Sequence, residues 1–248
     1  MTTLRPMLPL AFSLLACSGT TPAASETKAK TDAKAPAAAK SEPEPEPAKT
    51  ATGAALERWA FDDLAAGAAP KGFDLLETAS VGRPATWGGA KDAAAPSGGT
   101  AFGVLETTNE GQTYNLALAP GFESTDVELT VAVKAQTGKQ DQGGGVAFRA
   151  DGPSNYYIAR WNPLEKNVRF YVVVNEQRSA FAAADIDLDP TQWHTMRVLA
   201  EGNRFELFMN EKSVLVTHDD TLEGKGRIGL WTKADAATLF DDLTAQAL

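Results

Sequence analysis

Cysteine is almost absent from this sequence of 248 residues, which contains it once, at Cys17. No disulfide can form within such a chain, so the folded state must be stabilised by burial of apolar surface. Positive charge is also scarce, because residues 56–248 carry 17 Lys and Arg against 27 Asp and Glu and show no basic stripe. This balance argues against nucleic acid or an anionic membrane surface as a partner.

The segment before Cys17 is typical of a bacterial lipoprotein signal peptide. Residues 1–16 carry one charge, Arg5, then an apolar run too short to span a bilayer, and end in Leu-Leu-Ala before the cysteine. Cleavage there would free the thiol and the amine of Cys17 for several acyl chains, which together anchor firmly. The sequence therefore predicts a protein of the bacterial cell envelope that contacts the membrane through this lipid only. Ser18 favours the outer membrane, by resemblance to enteric lipoproteins.

Large apolar residues are missing from the next segment. Residues 18–55 contain no aromatic residue and no Leu, Ile, Val or Met, and they include a Glu-Pro repeat at 42–47. Such a composition cannot bury enough apolar area to fold, so we expect residues 17–55 to be a disordered tether. All five Trp and all four Tyr follow it. The sequence therefore predicts one folded domain, residues 56–248.

The folded region has the pattern of an all-β protein. Phe61, Phe73, Trp87 and Phe102 mark strand centres in its first part, and no stretch shows a helical period over 12 residues. Beyond residue 100, nine segments alternate apolar and polar residues: 126–133, 145–149, 155–161, 168–174, 193–199, 204–209, 213–217, 226–231 and 238–243. Tight turns, at 201–203 and 209–211 among others, separate them. Many strands without crossover helices indicate an antiparallel sandwich of two sheets.

Several motifs of this region resemble a known group of domains. They are the segments 141–149, ending in Gly-Gly-Gly-Val-Ala-Phe-Arg, 154–171, 226–235 and 240–243. The resemblance is to exported bacterial domains of the concanavalin A-like lectin/glucanase superfamily, close to its laminin-G-like and 3-keto-disaccharide hydrolase-like members. It covers residues 126–245 well and 56–125 loosely. It implies a jelly-roll sandwich of two curved sheets, often with roles related to carbohydrates.

A polar segment between two predicted strands is the candidate ligand site. The amide, guanidinium and carboxylate groups have the donors and acceptors that sugar hydroxyls need, and the aromatic rings offer faces for stacking on a sugar. The candidate contacts are Tyr157, Arg160, Trp161, Asn162, Glu165 and Asn167. The alternative is a hairpin in which Arg160 pairs with Glu165 and the asparagines hydrogen-bond the turn.

The catalytic carboxylates of family 16 glycoside hydrolases on this fold are missing. The nearest match to their Glu-x-Asp-x-(x)-Glu motif is Glu123, Asp126 and Glu128, and its first interval is three residues instead of two. We therefore predict a non-catalytic carbohydrate-binding protein whose ligand lies on the concave, polar sheet. The alternatives are an enzyme acting on ordinary or 3-keto-disaccharides, with Glu165 as its first carboxylate, and a structural or protein-interaction module of the envelope.

A repeated tetrapeptide is a candidate calcium site. Phe-Asp-Asp-Leu occurs at residues 61–64 and again at 240–243. In jelly rolls the first and last strands commonly lie side by side, so Asp62, Asp63, Asp241 and Asp242 would approach one another, and Ca²⁺ would relieve their repulsion. The alternative is strand alternation that turns one aspartate of each pair into water. The two histidines, His194 and His218, lack the spacing of zinc ligands.

Overall fold

The computed structural model describes residues 55–80 and 84–248 of the chain. The predicted signal peptide, the lipid site at Cys17 and nearly all of the predicted tether lie outside these residues. Fifteen strands and no helix occur in the described residues, which confirms the all-β class. Accordingly, the described part of the chain holds no helix suited in length and hydropathy to crossing a bilayer.

The strands form two antiparallel sheets. The eight-stranded sheet has the order β13-β12-β11-β6-β15-β4-β3, and β1 also pairs with β15. Its strands are β1 (Leu56–Trp59), β3 (Thr86–Lys91), β4 (Thr100–Glu106), β6 (Val127–Thr137), β11 (His194–Glu201), β12 (Arg204–Met209), β13 (Lys212–His218) and β15 (Ala237–Ala247). The seven-stranded sheet has the order β10-β9-β8-β7-β14-β5-β2. Its strands are β2 (Asp74–Thr78), β5 (Tyr114–Ser124), β7 (Gly144–Asp151), β8 (Asn155–Asn162), β9 (Asn167–Val174), β10 (Gln177–Asp185) and β14 (Gly226–Lys233).

The main hydrophobic core lies between the two sheets. In β8, strand alternation sends every second residue into it, namely Tyr157, Ala159 and Trp161. Aromatic rings meet there edge to face: the rings of Tyr157 and Phe205 lie 4.9 Å apart, and those of Phe148 and Phe205 lie 5.3 Å apart. Each such pair contributes about 0.5–1.5 kcal/mol beyond the area that it buries. Because the two sheets share this core, they form a sandwich, as the sequence predicts.

All nine segments predicted beyond residue 100 are strands, and the two predicted turns join β11 to β12 and β12 to β13. The first part of the domain is less regular than predicted. Phe61 and Phe73 are buried but lie outside the strands, whereas Trp87 and Phe102 lie within β3 and β4. A buried aromatic residue marks the core, but it does not require an extended backbone.

A second hydrophobic cluster covers the outer face of the seven-stranded sheet. It contains Tyr114, Leu116, Leu118, Ala147, Ala150, Tyr156, Ile158, Tyr171, Val173 and Trp231, all of them buried. The concave surface is therefore not the open polar hollow that we expected. The physical reason is visible in β8, where Tyr156 and Ile158 alternate with the core residues Tyr157 and Ala159, so that both faces of the strand are apolar.

This sheet is strongly curved toward its outer face. Arg178 lies on the edge strand β10, and Tyr114 lies on β5, with four strands between them. Five strand spacings span about 24 Å in a flat sheet. The guanidinium carbon of Arg178 nevertheless lies only 4.8 Å from the centre of the Tyr114 ring. The sheet therefore bends until long side chains from its two sides meet over the second cluster.

Candidate functional site

Polar and aromatic side chains meet at one end of this outer face. Gly145 of β7 pairs with Arg160 on β8 and with Trp231 on β14. Two strand spacings separate these side chains by about 10 Å, and glycine places no side chain between them. Arg160 is 1% exposed, and its guanidinium carbon lies 5.4 Å from the centre of the Tyr171 ring. A buried cation therefore lies beside aromatic rings at this end of the sheet.

Glu165 connects two arginines of this site. Its Oε2 lies 2.8 Å from Nη2 of Arg160 and 3.3 Å from Nη2 of Arg169. Burial acts to raise the pKa of Glu165, but the charge and hydrogen bond of Arg160 outweigh it and hold the pKa below its ordinary value. Asn162 accepts a hydrogen bond from the Glu165 amide at 3.0 Å, and Asn167 accepts one from Arg160 at 3.1 Å. The internal pairing that we gave as the alternative to ligand contact is thus present.

Asp141 is a site residue that the candidate set from the sequence missed. It is 1% exposed and accepts a hydrogen bond from Nδ2 of Asn162 at 3.0 Å. Its Oδ2 lies 3.2 Å from Nζ of Lys233 and 3.5 Å from Nη1 of Arg160. Burial raises the pKa of Asp141 above its ordinary value, although both cations act to lower it. Asp141 precedes β7 and is remote in sequence from the β8–β9 hairpin, so spacing alone gave no signal for it.

Arg178 extends over this face from the edge strand β10. Its guanidinium carbon lies 4.2 Å from the ring centre of Tyr171, 4.8 Å from that of Tyr114 and 5.8 Å from that of Trp231. These are distances at which a cation is attracted to the ring face. Sequence reasoning missed Arg178 as well, because only the curvature of the sheet brings β10 near β5 and β14.

Two of the predicted ligand contacts lie elsewhere. Tyr157 and Trp161 are both fully buried in the core between the sheets. The hydroxyl of Tyr157 donates to Oδ1 of Asp219 at 2.6 Å and accepts from the amide of Leu222 at 2.9 Å. The ring faces that we expected to stack on a sugar are therefore inside the protein. Residues 157 and 161 have the parity opposite to 160 and 162, which puts them on the other face of β8.

Three of the four repeated aspartates meet at one serine. The first and last strands do lie side by side, since β1 pairs with β15. Oγ of Ser97 lies 2.9 Å from Oδ1 of Asp62, 3.3 Å from Oδ2 of Asp241 and 3.0 Å from Oδ1 of Asp242. Asp63 is exposed and makes none of these contacts. Within residues 55–80 and 84–248 no cluster of three or more His, Cys, Asp or Glu suited to a metal ion is found. Calcium binding stays a prediction from the sequence.

The incomplete carboxylate motif of the sequence does not lie on one strand. Glu123 belongs to β5, Glu128 belongs to β6, and Asp126 lies in the turn between them. A glycosidase of that type needs its carboxylates on one face of a single strand. Glu123, Asp126 and Glu128 therefore do not form that arrangement.

Comparison with known proteins identifies the family of the domain. The profile of one family, the 3-keto-alpha-glucoside-1,2-lyase-like domain, matches residues 82–245, about two thirds of the chain. The chain belongs to this family. The resemblance inferred from the sequence is thereby confirmed, and the family match includes Asp141, Arg160, Glu165, Arg178 and Lys233.

This 3-keto-alpha-glucoside-1,2-lyase-like domain is also similar to individual known proteins. A levanase of Bacillus subtilis (strain 168) is 26% identical over 141 residues, which cover 56% of the chain and 20% of the levanase. The chain thus aligns with only about a fifth of that enzyme. The carbohydrate binding module CBM66 from Bacillus subtilis superposes with a TM-score of 0.54 at 20% identity, covering 70% of the chain and 95% of the module. The cellulose-induced protein Cip1 gives a TM-score of 0.54 at 11% identity, covering 76% and 96%. At these identities the two structures establish the fold.

Proposed function

We propose that this chain is a lipid-anchored protein of the bacterial envelope that binds a saccharide and does not convert it. The observation that carries the proposal is a set of unsatisfied donors on the outer face of the seven-stranded sheet. Within the described residues, buried N–H groups of Arg160, Arg169 and Arg178 have no hydrogen-bond acceptor. Buried donors without acceptors are costly, so a ligand that supplies oxygen atoms gains affinity there if a small side-chain movement uncovers them.

The surroundings of these donors suit a sugar. The rings of Tyr171, Tyr114 and Trp231 lie within 5.8 Å of a guanidinium carbon, and Glu165 keeps 42% of its side chain exposed at the rim. The three rings are buried beneath the guanidinium groups, so a sugar would meet the polar groups at the rim of the site and not the ring faces. The likeness to a levanase and to a carbohydrate binding module supports the same ligand class.

Binding without turnover is proposed because the family 16 carboxylate motif is incomplete and each carboxylate of the site lies within 4 Å of two cations. Asp141 contacts Arg160 and Lys233, and Glu165 contacts Arg160 and Arg169. A general acid or base must also reach the substrate, and Asp141, whose Oδ2 has no hydrogen-bond partner, is buried. The proposed lipid anchor is attached at Cys17. Labelling of growing cells with a fatty acid should mark the wild-type protein and leave a Cys17→Ala variant unlabelled.

The test of binding is a glycan array followed by titration calorimetry with the detergent-solubilised full chain. Arg169→Gln should weaken the affinity for the best glycan about tenfold, the effect of losing one charged hydrogen bond. Arg204→Gln is a matched control, because Arg204 is also a strand residue paired with a glutamate and is 32% exposed, compared with 36% for Arg169. An array with no glycan above background, or an equal affinity of both variants, would contradict the proposal.

One observation favours an enzyme as the second candidate. Asp141 and Glu165 contact the same guanidinium, and the pKa of the first is raised while that of the second is lowered. Carboxyl groups whose pKa values are pushed apart are typical of an acid and a base. Incubation with a 3-keto-disaccharide tests this candidate. Release of free sugars that Asp141→Asn and Glu165→Gln both abolish would replace binding by catalysis.

The interaction-module alternative gains no such support, because the exposed large apolar residues are scattered over separate elements: Leu56, Leu75, Leu105, Leu164, Val216 and Leu248.

A further inference from the structure

Arg178 differs from every other arginine that the structure describes. Residues 55–80 and 84–248 contain eight arginines. Seven of them lie within 4 Å of a carboxylate: Arg58, Arg149, Arg160, Arg169, Arg197, Arg204 and Arg227. Arg178 has no carboxylate partner among these residues, although the domain as a whole is acidic. A half-buried guanidinium without a counter-charge is costly unless something else supplies that charge.

The neighbours of Arg178 do not balance its charge. The carboxylates of the site, Asp141 and Glu165, are shared among Arg160, Arg169 and Lys233, so three cations already face two anions. Arg178 adds a fourth cation to the same aromatic cluster, because both it and Arg160 lie within 5.4 Å of the Tyr171 ring centre. The site is therefore locally positive in an otherwise negative domain.

The geometry of Arg178 suits a planar anion. Three ring faces lie 4.2 to 5.8 Å from the guanidinium carbon, and its Nη1 is buried, which leaves Nε and Nη2 to face a ligand. A guanidinium has parallel N–H groups that match the two oxygens of a carboxylate, and stacking on rings fixes its plane before a ligand arrives. A neutral hydroxyl would satisfy one donor but would leave the positive charge uncompensated.

We propose that the saccharide bound on this face carries a carboxylate, as uronic acids do, and that Arg178 binds that carboxylate. The inference rests on the proposed saccharide-binding function and names the class of its ligand. It also makes Arg178 the residue that distinguishes acidic from neutral sugars with otherwise similar hydroxyl groups.

The test compares matched ligand pairs. Titration calorimetry with the full chain uses trisaccharides of galacturonic, glucuronic and mannuronic acid, each beside its carboxyl-reduced neutral form. We expect at least one acidic trisaccharide to bind about tenfold or more tightly than its reduced form, the effect of a charge-assisted hydrogen bond. This preference should disappear in Arg178→Gln, and Arg178→Lys should keep only part of it. Arg204→Gln, whose arginine lies in the other sheet, should leave it unchanged.

A second measurement does not depend on whether the variants fold. In the wild-type protein, affinity for the acidic ligand should fall as salt is raised from 20 to 300 mM, whereas affinity for a neutral ligand should not. Equal affinity for acidic and reduced forms, or an unchanged preference in a folded Arg178→Gln variant, overturns the inference. If the glycan array identifies only neutral ligands, the inference fails while saccharide binding stands. If no glycan of any charge binds, the proposed function fails with it.

Discussion

Arg160 and Arg169 lie directly opposite each other on β8 and β9, and the carboxylate of Glu165 contacts both guanidinium groups. Like charges in opposite positions of two strands repel, so this pair of strands carries a local conflict. Glu165 comes from the turn that joins the two strands, and its position lets one carboxylate offset two cations. The hairpin at the centre of the candidate site is therefore held by an electrostatic bridge and not by apolar packing alone.

Removal of this bridge should destabilise the domain at neutral pH. Glu165→Gln should lower the free energy of unfolding by about 1 kcal/mol, a modest value because the side chain is 42% exposed and solvent screens the ion pair. The pKa of Glu165 is lowered in the folded state, so the stabilisation is present above the pKa of the unfolded chain. It is lost as the pH falls through the folded value.

Urea unfolding of both proteins at pH 7 and at pH 3 measures this difference. Glu211→Gln is the control, because Glu211 is 75% exposed and lies 3.9 Å from its arginine partner, so its loss should change little. A Glu165→Gln variant that is as stable as the wild type at pH 7, or a difference that persists unchanged at pH 3, would argue against the bridge.

Nine of the eleven strands that begin beyond residue 100 were predictable because local chemistry sets them, whereas β5 and β10 were not predicted. Tight turns such as Asn210-Glu211, both with positive φ, follow from the sequence alone. Alternation also fixes which side chains share a face. The prediction failed at β8, where Tyr156-Tyr157-Ile158-Ala159 is apolar in both parities. Such a run gives no sign of which face meets the other sheet, and Tyr157 and Trp161 were placed on the wrong side.

The site was only half predictable for a different reason. Arg160, Asn162, Glu165 and Asn167 are neighbours in sequence, so their meeting is a local event. Asp141, Lys233 and Arg178 come from three other elements, and only sheet order and curvature bring them in. Without a second sequence to compare, nothing in their local context separates them from surface charges.

The buried hydroxyl of Tyr157 offers a test of whether this residue belongs to the core or to the ligand-binding site. Tyr157→Phe removes the hydrogen bond to Asp219 and the acceptor of the Leu222 amide. We expect a loss of about 1 kcal/mol in the free energy of unfolding, because two half-buried groups lose a partner. Saccharide affinity should be unchanged, since the ring faces the core. A variant of normal stability with weakened glycan binding would instead return Tyr157 to the ligand site.

The calcium prediction from the sequence has its own test. If the carboxylates of Asp62, Asp241 and Asp242 bind Ca²⁺, added calcium should raise the melting temperature and EDTA should lower it. Asp241→Asn should abolish both effects, whereas Asp63→Asn should preserve them, because Asp63 lies outside the cluster around Ser97. A melting temperature that neither calcium nor EDTA changes contradicts the prediction.

Arg149 holds three loops together at one end of the sandwich. Its Nε donates to the Thr125 carbonyl at 2.8 Å, its Nη1 to the Leu222 carbonyl at 2.8 Å, and its Nη2 to the Gly202 carbonyl. The residue is 5% exposed and adopts a φ of 48°, at an irregularity in the pairing of β7 with β8. A residue other than glycine keeps a positive φ only where its contacts outweigh the backbone strain.

Replacement of this arginine should therefore be costly. Arg149→Met keeps much of the apolar contact with Phe205 but leaves three carbonyls without a donor, so we expect a loss of about 3–5 kcal/mol in the free energy of unfolding. Arg149→Lys should lose less, because the ammonium can still donate to some of the three carbonyls. Arg227→Lys is the control, since Arg227 is also a strand residue that donates to backbone carbonyls, but its side chain is 25% exposed. Hydrogen exchange should show faster opening of the loops at residues 125, 202 and 222 in Arg149→Met. Loss of less than about 1 kcal/mol, with unchanged exchange at those loops, would mean that the loops are held by other contacts.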